Sequence, residues 1–104
     1  MNSLIAKLTI PEHLKPQRYV LIFIVWKLPP PREFDLDRAT ESMSVESTHA
    51  DPKAAKAHAA RNTIKFYPGC AVLIDTLNAT CERADNFNAA CFPLKWEATE
   101  DDHA

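Results

Sequence analysis

Glycine is nearly absent from this sequence, which has one glycine and eight prolines among 104 residues. A glycine-rich phosphate-binding loop is excluded, because such a loop needs several glycines for the close approach of its backbone to the ligand. Turns must depend on proline, asparagine and aspartate instead. Long apolar runs are also lacking. The longest covers residues 20–26, which is too short to cross a bilayer, so we expect no association with a membrane.

Cysteine is scarce and odd in number, with Cys70, Cys81 and Cys91 as the full set. An odd count fits a reducing compartment better than a disulfide framework. The N-terminus carries no recognisable secretory signal, so we expect a cytoplasmic protein. Structural zinc sites usually bring their ligands in pairs roughly two to four residues apart. These cysteines contain no such pair, and we expect neither a metal nor another cofactor.

Charge of one sign does not dominate, since twelve basic and fourteen acidic side chains give a net charge of −2. A dedicated nucleic-acid-binding protein usually carries a basic excess, so this balance argues against that class. The length suits a single domain over residues 1–104 with one modest core. The acidic end, residues 100–104, is expected to be a frayed tail.

Two stretches of the sequence have the pattern of buried strands. Residues 20–26 are continuously apolar and mostly β-branched or aromatic, which favours a central strand covered on both faces. Residues 70–75 repeat this pattern and end at an aspartate. Residues 94–99 alternate apolar and charged side chains, which is typical of a half-exposed strand.

Two other stretches have helical features. Asp51 and Pro52 form a strong helix start, as the N-cap and the first helical residue. The run that follows is rich in alanine and lysine, and it predicts a helix over residues 53–67. As an alternative, residues 63–67 form a strand in a hairpin with the next strand. The spacing of apolar residues over 77–91 predicts a second helix.

Residues 32–50 are predicted to be a long polar connection. They follow three consecutive prolines at 29–31, which cannot continue a central strand. A connection of this length in a small domain is usually functional or disordered, and we expect it to be mobile. The short apolar segment before residue 16 fits either a helix or an edge strand.

These elements together predict a small α+β or α/β domain. After a short N-terminal element the order is β-α-β-α-β, with two helices packed on a single sheet of three to four strands. Helices between strands favour crossover connections and at least partly parallel pairing. An uncovered edge on so small a sheet would permit a homodimer.

Three residues are candidates for catalytic chemistry. Asp75 ends a predicted strand, where open α/β sheets bind ligands, although the same residue makes a good turn or helix cap. His49 lies near the start of the predicted helix, where an anion could bind, and a solvated side chain is the alternative. Cys70 would need a neighbouring cation, histidine or helix N-terminus to become a nucleophile. Its alternative role is that of a small buried apolar residue.

A further set of residues is suited to binding. The predicted helix carries cations and no acid, so it could meet phosphate or an acidic partner, although such a face is usually only solvated. Tryptophans near the ends of two predicted strands are typical of binding hot spots and equally of a core. The candidate binding residues are Lys53, Lys56, Arg61, Lys65, Trp26 and Trp96.

No catalytic set clusters in the sequence, which favours a small non-enzymatic interaction protein. Such a protein would be an adaptor, regulator or inhibitor that binds another macromolecule through its surface, and we expect this partner to be a protein. One alternative is a small ligand-binding domain or enzyme that uses Asp75. The other alternative is nucleic-acid binding through the basic helix, residues 53–65.

Overall fold

The computed structural model describes residues 10–25, 43–87 and 93–98, and these build an antiparallel sheet. The elements in chain order are β1 (Tyr19–Val25), β2 (Met43–His49), α1 (Pro52–Arg61), a 3-10 turn (Thr63–Phe66), β3 (Gly69–Asp75), β4 (Thr80–Asn86) and β5 (Glu97–Ala98). The strand order is β2-β1-β3-β4-β5, and each paired neighbour is antiparallel. β1 therefore lies inside the sheet, with β2 on one side and β3 on the other.

β1 and β3 are the strands predicted from the two apolar runs, and both predictions are confirmed. Residues 20–24 of β1 are buried, as are the first six residues of β3. Side chains of a strand alternate between its two faces. One face of β1 carries Val20 and Ile22, and the other carries Leu21 and Phe23. Because both faces are covered, the sequence pattern is continuously apolar instead of alternating.

α1 covers one face of the sheet, which we call the helix face. The helix buries Ala55 and Ala59, and these small side chains let its backbone lie close to the strands. Phe66 of the 3-10 turn completes this layer, with its ring centroid 4.6 Å from that of Phe23. The partly buried residues that pack on the opposite layer are Ile10, Met43, Val45 and Phe87.

The start of α1 is confirmed as predicted. Asp51 is the N-cap, and its Oδ1 accepts a hydrogen bond from the backbone N of Lys53 at 3.1 Å. Pro52 occupies the first helical position, where its missing N–H costs nothing. Among the described residues, no helix is both long and apolar enough to cross a membrane.

The end of α1 differs from the prediction of a helix over residues 53–67. The α-helix ends at Arg61, and Asn62 Nδ2 donates a hydrogen bond to the carbonyl of His58 at 2.7 Å. The 3-10 turn then continues the chain to Phe66. The alternative of a strand over residues 63–67 is therefore wrong as well.

The predicted second helix over residues 77–91 is wrong, and so is the predicted fold of two helices on three to four strands. β4 occupies this region and pairs with β3 along seven residue pairs. The Asp75 carboxylate accepts hydrogen bonds from the backbone N of Leu77 and of Asn78, which starts a hairpin turn. Leu77, the first apolar residue of the predicted helix, is 72% exposed. Pairing with a buried strand therefore outweighs the helical spacing.

The fold that replaces the prediction is mostly strand. Within the described ranges it is one five-stranded antiparallel sheet with one α-helix and one 3-10 turn. The expected parallel pairing is also wrong. β2 and β3 run in the same direction because both are antiparallel to β1, but β1 separates them. β5 is much shorter than the strand predicted over residues 94–99.

β2 is a strand that the sequence pattern does not predict, and it lies within the supposed connection of residues 32–50. Its register with β1 shifts between Leu21 and Ile22, which marks a β-bulge. Leu21 pairs with Ser47 and Ile22 pairs with Val45, so Glu46 is the extra residue. Residues 26–42 and 99–104, with Trp26 and the acidic tail, lie outside the described residues.

Candidate functional site

A row of polar side chains crosses one end of the sheet on the helix face. Tyr19 begins β1 and pairs with His49, the last residue of β2, and with Asp75, the last residue of β3. Thr80 begins β4 and pairs with Asp75. Tyr19 lies on the same face as Leu21, which is the helix face. Directly opposed residues of antiparallel strands share a face, so His49, Asp75 and Thr80 lie on the helix face too. We call these four residues the polar row.

Asp75 is the most heavily bonded member of the polar row. Arg18 binds it with two parallel hydrogen bonds of 2.9 Å, from Nε to Oδ1 and from Nη2 to Oδ2. The backbone N of Leu77 and of Asn78 donate to Oδ1 at 3.1 and 3.3 Å. The hydrogen bond from Arg18 is the main cause that lowers the pKa of Asp75 to about 2, against a smaller opposing effect of burial. The carboxylate therefore stays ionised and is a poor general base.

A cavity of about 230 Å³ lies between three members of the polar row, Tyr19, Asp75 and Thr80, and the first turns of α1, and we call it the α1 cavity. Leu73 contributes an apolar wall, and Pro52 and Lys56 approach from the helix. Asp75, although predicted from the sequence as a ligand-binding carboxylate, lines this cavity with both oxygens already engaged. The residues that line the cavity are Tyr19, Pro52, Lys56, Leu73, Asp75, Thr80, Cys81 and Glu82.

Two of the predicted binding residues meet beside the α1 cavity. The Lys56 Nζ lies 3.2 Å from Glu82 Oε1 and 5.6 Å from the centroid of the Trp96 ring. Trp96 is half-buried and packs against the apolar layer under α1. An aromatic ring with a cation over its face is a frequent component of binding surfaces. The cavity is therefore flanked by Tyr19 on one side and by the Lys56–Trp96 contact on another.

The other predicted binding cations are spread over α1 and the 3-10 turn. Lys53 is exposed at the helix start and Arg61 is exposed at its end. Lys65 Nζ lies 3.2 Å from Glu46 Oε2. Since Lys65 and Lys56 each face a carboxylate of the chain itself, two of the four cations are partly neutralised. This arrangement weakens the hypothesis of nucleic-acid binding, which needs several cations aimed at phosphates.

A second polar cluster lies between β2 and the C-terminal half of α1. The bulge turns Glu46 toward the helix, where its Oε2 lies 2.8 Å from His58 Nε2. Burial raises the pKa of Glu46, but hydrogen bonds from His58 and Lys65 outweigh it, so the pKa lies below its ordinary value. His49 is half-buried beside His58, with 5.5 Å between the ring centroids.

Sequence reasoning selected His49 from this cluster and missed Glu46, Ser47 and His58. Ser47 Oγ lies 2.8 Å from His49 Nε2, because residues two apart on a strand share a face. This two-residue spacing would have predicted the contact between Ser47 and His49 if residues 43–49 had been taken as a strand. Glu46 could not be found in this way, because its direction depends on the bulge.

The remaining candidates lie away from the polar row. Cys70 is buried at the opposite end of β3, in the layer facing away from α1. Cys91 and Trp26 lie outside the described residues. Within residues 10–25, 43–87 and 93–98, no three His, Cys, Asp or Glu side chains converge where they could share a metal ion.

The two polar regions are joined by His49, which ends the polar row and also faces His58. Both regions depend on how α1 lies on the sheet. No protein-family model, curated protein or solved structure matches the chain. Its activity is therefore interpreted from the geometry of these residues.

Proposed function

We propose that the protein is a small non-enzymatic interaction protein that binds another protein through the surface around the α1 cavity. The observation that carries this proposal is the cavity itself, with Tyr19 and the Lys56–Trp96 contact on its flanks. Tyrosine and tryptophan dominate the binding energy of many protein interfaces, where they surround or fill small pockets. An adaptor, regulator or inhibitor would use such a surface.

The volume of the cavity favours a protein partner over a small-molecule substrate. Pockets for small molecules and cofactors usually measure roughly 300–1,000 Å³, and the α1 cavity measures about 230 Å³. A space of this size fits a single inserted side chain better than a cofactor. The partner would therefore contribute one anchor residue, and its remaining contacts would spread over the exposed surface around the cavity.

The chemistry of the lining supports a non-enzymatic role. Asp75 is held by Arg18 and by the turn that follows it, and Glu82 faces Lys56. A catalytic carboxylate needs a pKa matched to proton transfer near neutral pH, and the pKa of Asp75 lies far below that range. These contacts argue against the alternative of an enzyme that uses Asp75.

We propose that this interaction takes place in the cytoplasm, because an odd number of cysteines fits a reducing compartment. Nucleic acid is a less favoured partner, because Lys56 and Lys65 face carboxylates of the same chain. A second copy of the chain is the other partner that the sequence allows. The experiment below distinguishes it from a different protein by the mass of the captured complex.

The Thr80→Arg substitution tests the proposal by filling the cavity. Thr80 is exposed and lines the α1 cavity, so a long side chain there blocks the opening without removing a core contact. Tagged wild-type and variant proteins would be used to capture partners from the source cells. We expect a partner that the wild type retains and Thr80→Arg loses, with a Kd at least about tenfold weaker for the purified pair.

Ile64→Arg is the matched control, because it introduces the same side chain at an exposed position of the 3-10 turn, outside the cavity lining. It should retain the partner, and both variants should keep the wild-type circular dichroism spectrum and urea midpoint. Equal capture by Thr80→Arg and the wild type would remove the cavity as the binding site. Recovery of no saturable protein partner would contradict the proposed function.

A further inference from the structure

His49 and His58 meet at the contact between β2 and α1, away from the α1 cavity. Their ring centroids are 5.5 Å apart and the ring planes are inclined by 58°. Both side chains are half-buried. His49 lies at the end of β2, just before the N-cap of α1, whereas His58 lies in the last turn of the helix. The pair therefore bridges the two elements that must stay together if α1 is to lie on the sheet.

Fixed positive charges outnumber fixed negative ones around this pair, with Arg61 and Lys65 against Glu46. Facing His49, α1 contributes His58 and Arg61. The 3-10 turn contributes Lys65, and β2 contributes one carboxylate, that of Glu46. Tyr19 is the cross-strand neighbour of His49 on β1, and the ring of Phe23 lies 6.5 Å from that of His58.

The carboxylate of Glu46 is already shared. Its Oε2 lies 2.8 Å from His58 Nε2 and 3.2 Å from Lys65 Nζ. His49 instead faces the hydroxyl of Ser47, with 2.8 Å between Oγ and Nε2. When Nε2 carries no proton, it can accept a hydrogen bond from this hydroxyl. A positive charge on His49 would have no carboxylate partner among these neighbours.

We propose that the His49–His58 contact is an acid-sensitive latch, which holds α1 against β2 while His49 is neutral and loosens when His49 takes up a proton. Burial of His49 in the contact is the main reason that this added charge is unfavourable, and His58 and Arg61 of α1 oppose it as well. The loosening also reaches the α1 cavity, because Pro52 and Lys56 of the same helix form part of its lining.

The direction of the pH effect follows from linkage between protonation and stability. Burial, His58 and Arg61 lower the pKa of His49 below its ordinary value of 6.5. A state in which α1 has left β2 therefore binds more protons than the closed state in this pH range. The latch is fully effective above about pH 6.5 and weakens as the pH falls below that value.

Native-state hydrogen exchange of the full-length chain tests the latch without any partner. Backbone amides of α1 would be compared with those of β1 and β3 at about pH 7.5 and at about pH 5, after correction for intrinsic exchange. We expect the protection of α1 relative to the central strands to fall at least about threefold at the lower pH, because the opened state takes up the proton more readily. An unchanged ratio would overturn the proposal.

His49→Gln keeps a hydrogen-bonding side chain beside Ser47 and removes the ionisation, so the relative protection of α1 should become independent of pH. His13→Gln is the matched control, since His13 is exposed in the turn before β1, and it should behave as the wild type does. If the relative protection of α1 falls as much in His49→Gln as in the wild type, the proposed latch is overturned.

A second measurement covers the case in which His49→Gln does not fold. In an NMR titration of the wild type, the ring of His49 should titrate below the ordinary histidine pKa of 6.5. The α1 amides should shift with the His49 midpoint. If the α1 amides shift with a midpoint other than that of His49, or do not shift, the proposal is contradicted. The latch is a property of the chain alone, so its failure is distinguishable from a failure of the proposed function.

Discussion

The two ends of β3 are fixed by different kinds of interaction. At Gly69 the chain has no room, because a Cβ atom there would lie 1.9 Å from the carbonyl oxygen of Ile24 and 2.9 Å from that of Phe66. At Asp75, at the other end, the chain is held by charge and hydrogen bonds, from Arg18 and from the turn that follows. One strand thus begins at a steric constraint and ends at an electrostatic one.

This difference separates the part of the molecule that only supports the fold from the part that can respond to its surroundings. A steric constraint does not depend on pH or ionic strength, whereas a partly exposed ion pair depends on both. The α1 cavity and the polar row lie at the charged end of β3. The surface that we propose for binding therefore lies where the fold is held by polar contacts.

Gly69→Ala should give the largest effect on this comparison. The added methyl group cannot fit between the backbones of β1 and β3, so these strands must separate at the Gly69 end. We expect a loss of at least about 3 kcal/mol in the free energy of unfolding, or a chain that does not fold. Urea denaturation followed by circular dichroism would measure it. The loss should be equal at low and high salt, and a variant as stable as the wild type would contradict the steric explanation.

Asp75→Ala should give a smaller effect that depends on pH. The variant lacks the acceptor for the turn amides and for Arg18, and we expect a loss of about 1 kcal/mol at neutral pH, as for other lost caps. The ordinary pKa of 3.8 falls to about 2 in the folded chain. The stabilisation by the carboxylate is therefore present above about pH 4 and is lost as the pH falls toward 2.

Asp75→Asn separates the charge from the hydrogen bonds at the same position. The amide oxygen of the introduced side chain still accepts hydrogen bonds from the turn, but this side chain no longer ionises. The free energy of unfolding of this variant should therefore decrease less than that of the wild type between about pH 4 and about pH 2. Urea midpoints measured across this range for the three proteins would provide the comparison. Identical slopes for the wild type and Asp75→Asn would exclude Asp75 as the titrating group.

Ala79→Gly should give the smallest effect, and it should be stabilising. Ala79 has a φ of 55° in the turn between β3 and β4, and glycine adopts this left-handed conformation more easily than alanine. We expect a gain of about 0.5 kcal/mol in the free energy of unfolding, measured by urea denaturation. Ala54→Gly, on the exposed side of α1, is the opposite control and should lose about 1 kcal/mol. A destabilised Ala79→Gly would show that the turn does not strain residue 79.

The central strands could be predicted from the sequence because their burial leaves a direct trace. A strand covered on both faces needs apolar side chains at successive positions, and residues 20–25 and 70–74 provide them. The start of α1 was readable for a similar reason, since Asp51 and Pro52 act locally. Such features depend on the residues themselves and not on what the rest of the chain does.

β4 and β2 could not be predicted because their structure depends on a neighbouring strand. The apolar residues Cys81 and Ala84 have helical spacing in the sequence, but in β4 they lie on opposite faces of the sheet. β2 consists mostly of polar residues, and it is ordered by pairing with β1. In both cases the partner strand supplies the interactions that local sequence does not.

Three of the predicted site residues lie at or beside the α1 cavity. Asp75, Lys56 and Trp96 were selected as charged or aromatic residues near the ends of predicted elements, and the structure gathers them around the α1 cavity. Glu46 and His58 were not selected, because their contact crosses from β2 to α1 and depends on the bulge. A change of register by one residue reverses the side-chain directions on a strand, and no local pattern reveals such a change.

The β-bulge at Glu46 also bears on the outer edge of the described sheet. β2 is the outermost strand of the described sheet, and an outermost strand is a template on which another chain can add its own backbone. The bulge interrupts the regular spacing of amide and carbonyl groups that an incoming strand would need to match. It thereby discourages growth of the sheet from chain to chain, which is the first step toward fibrous aggregates.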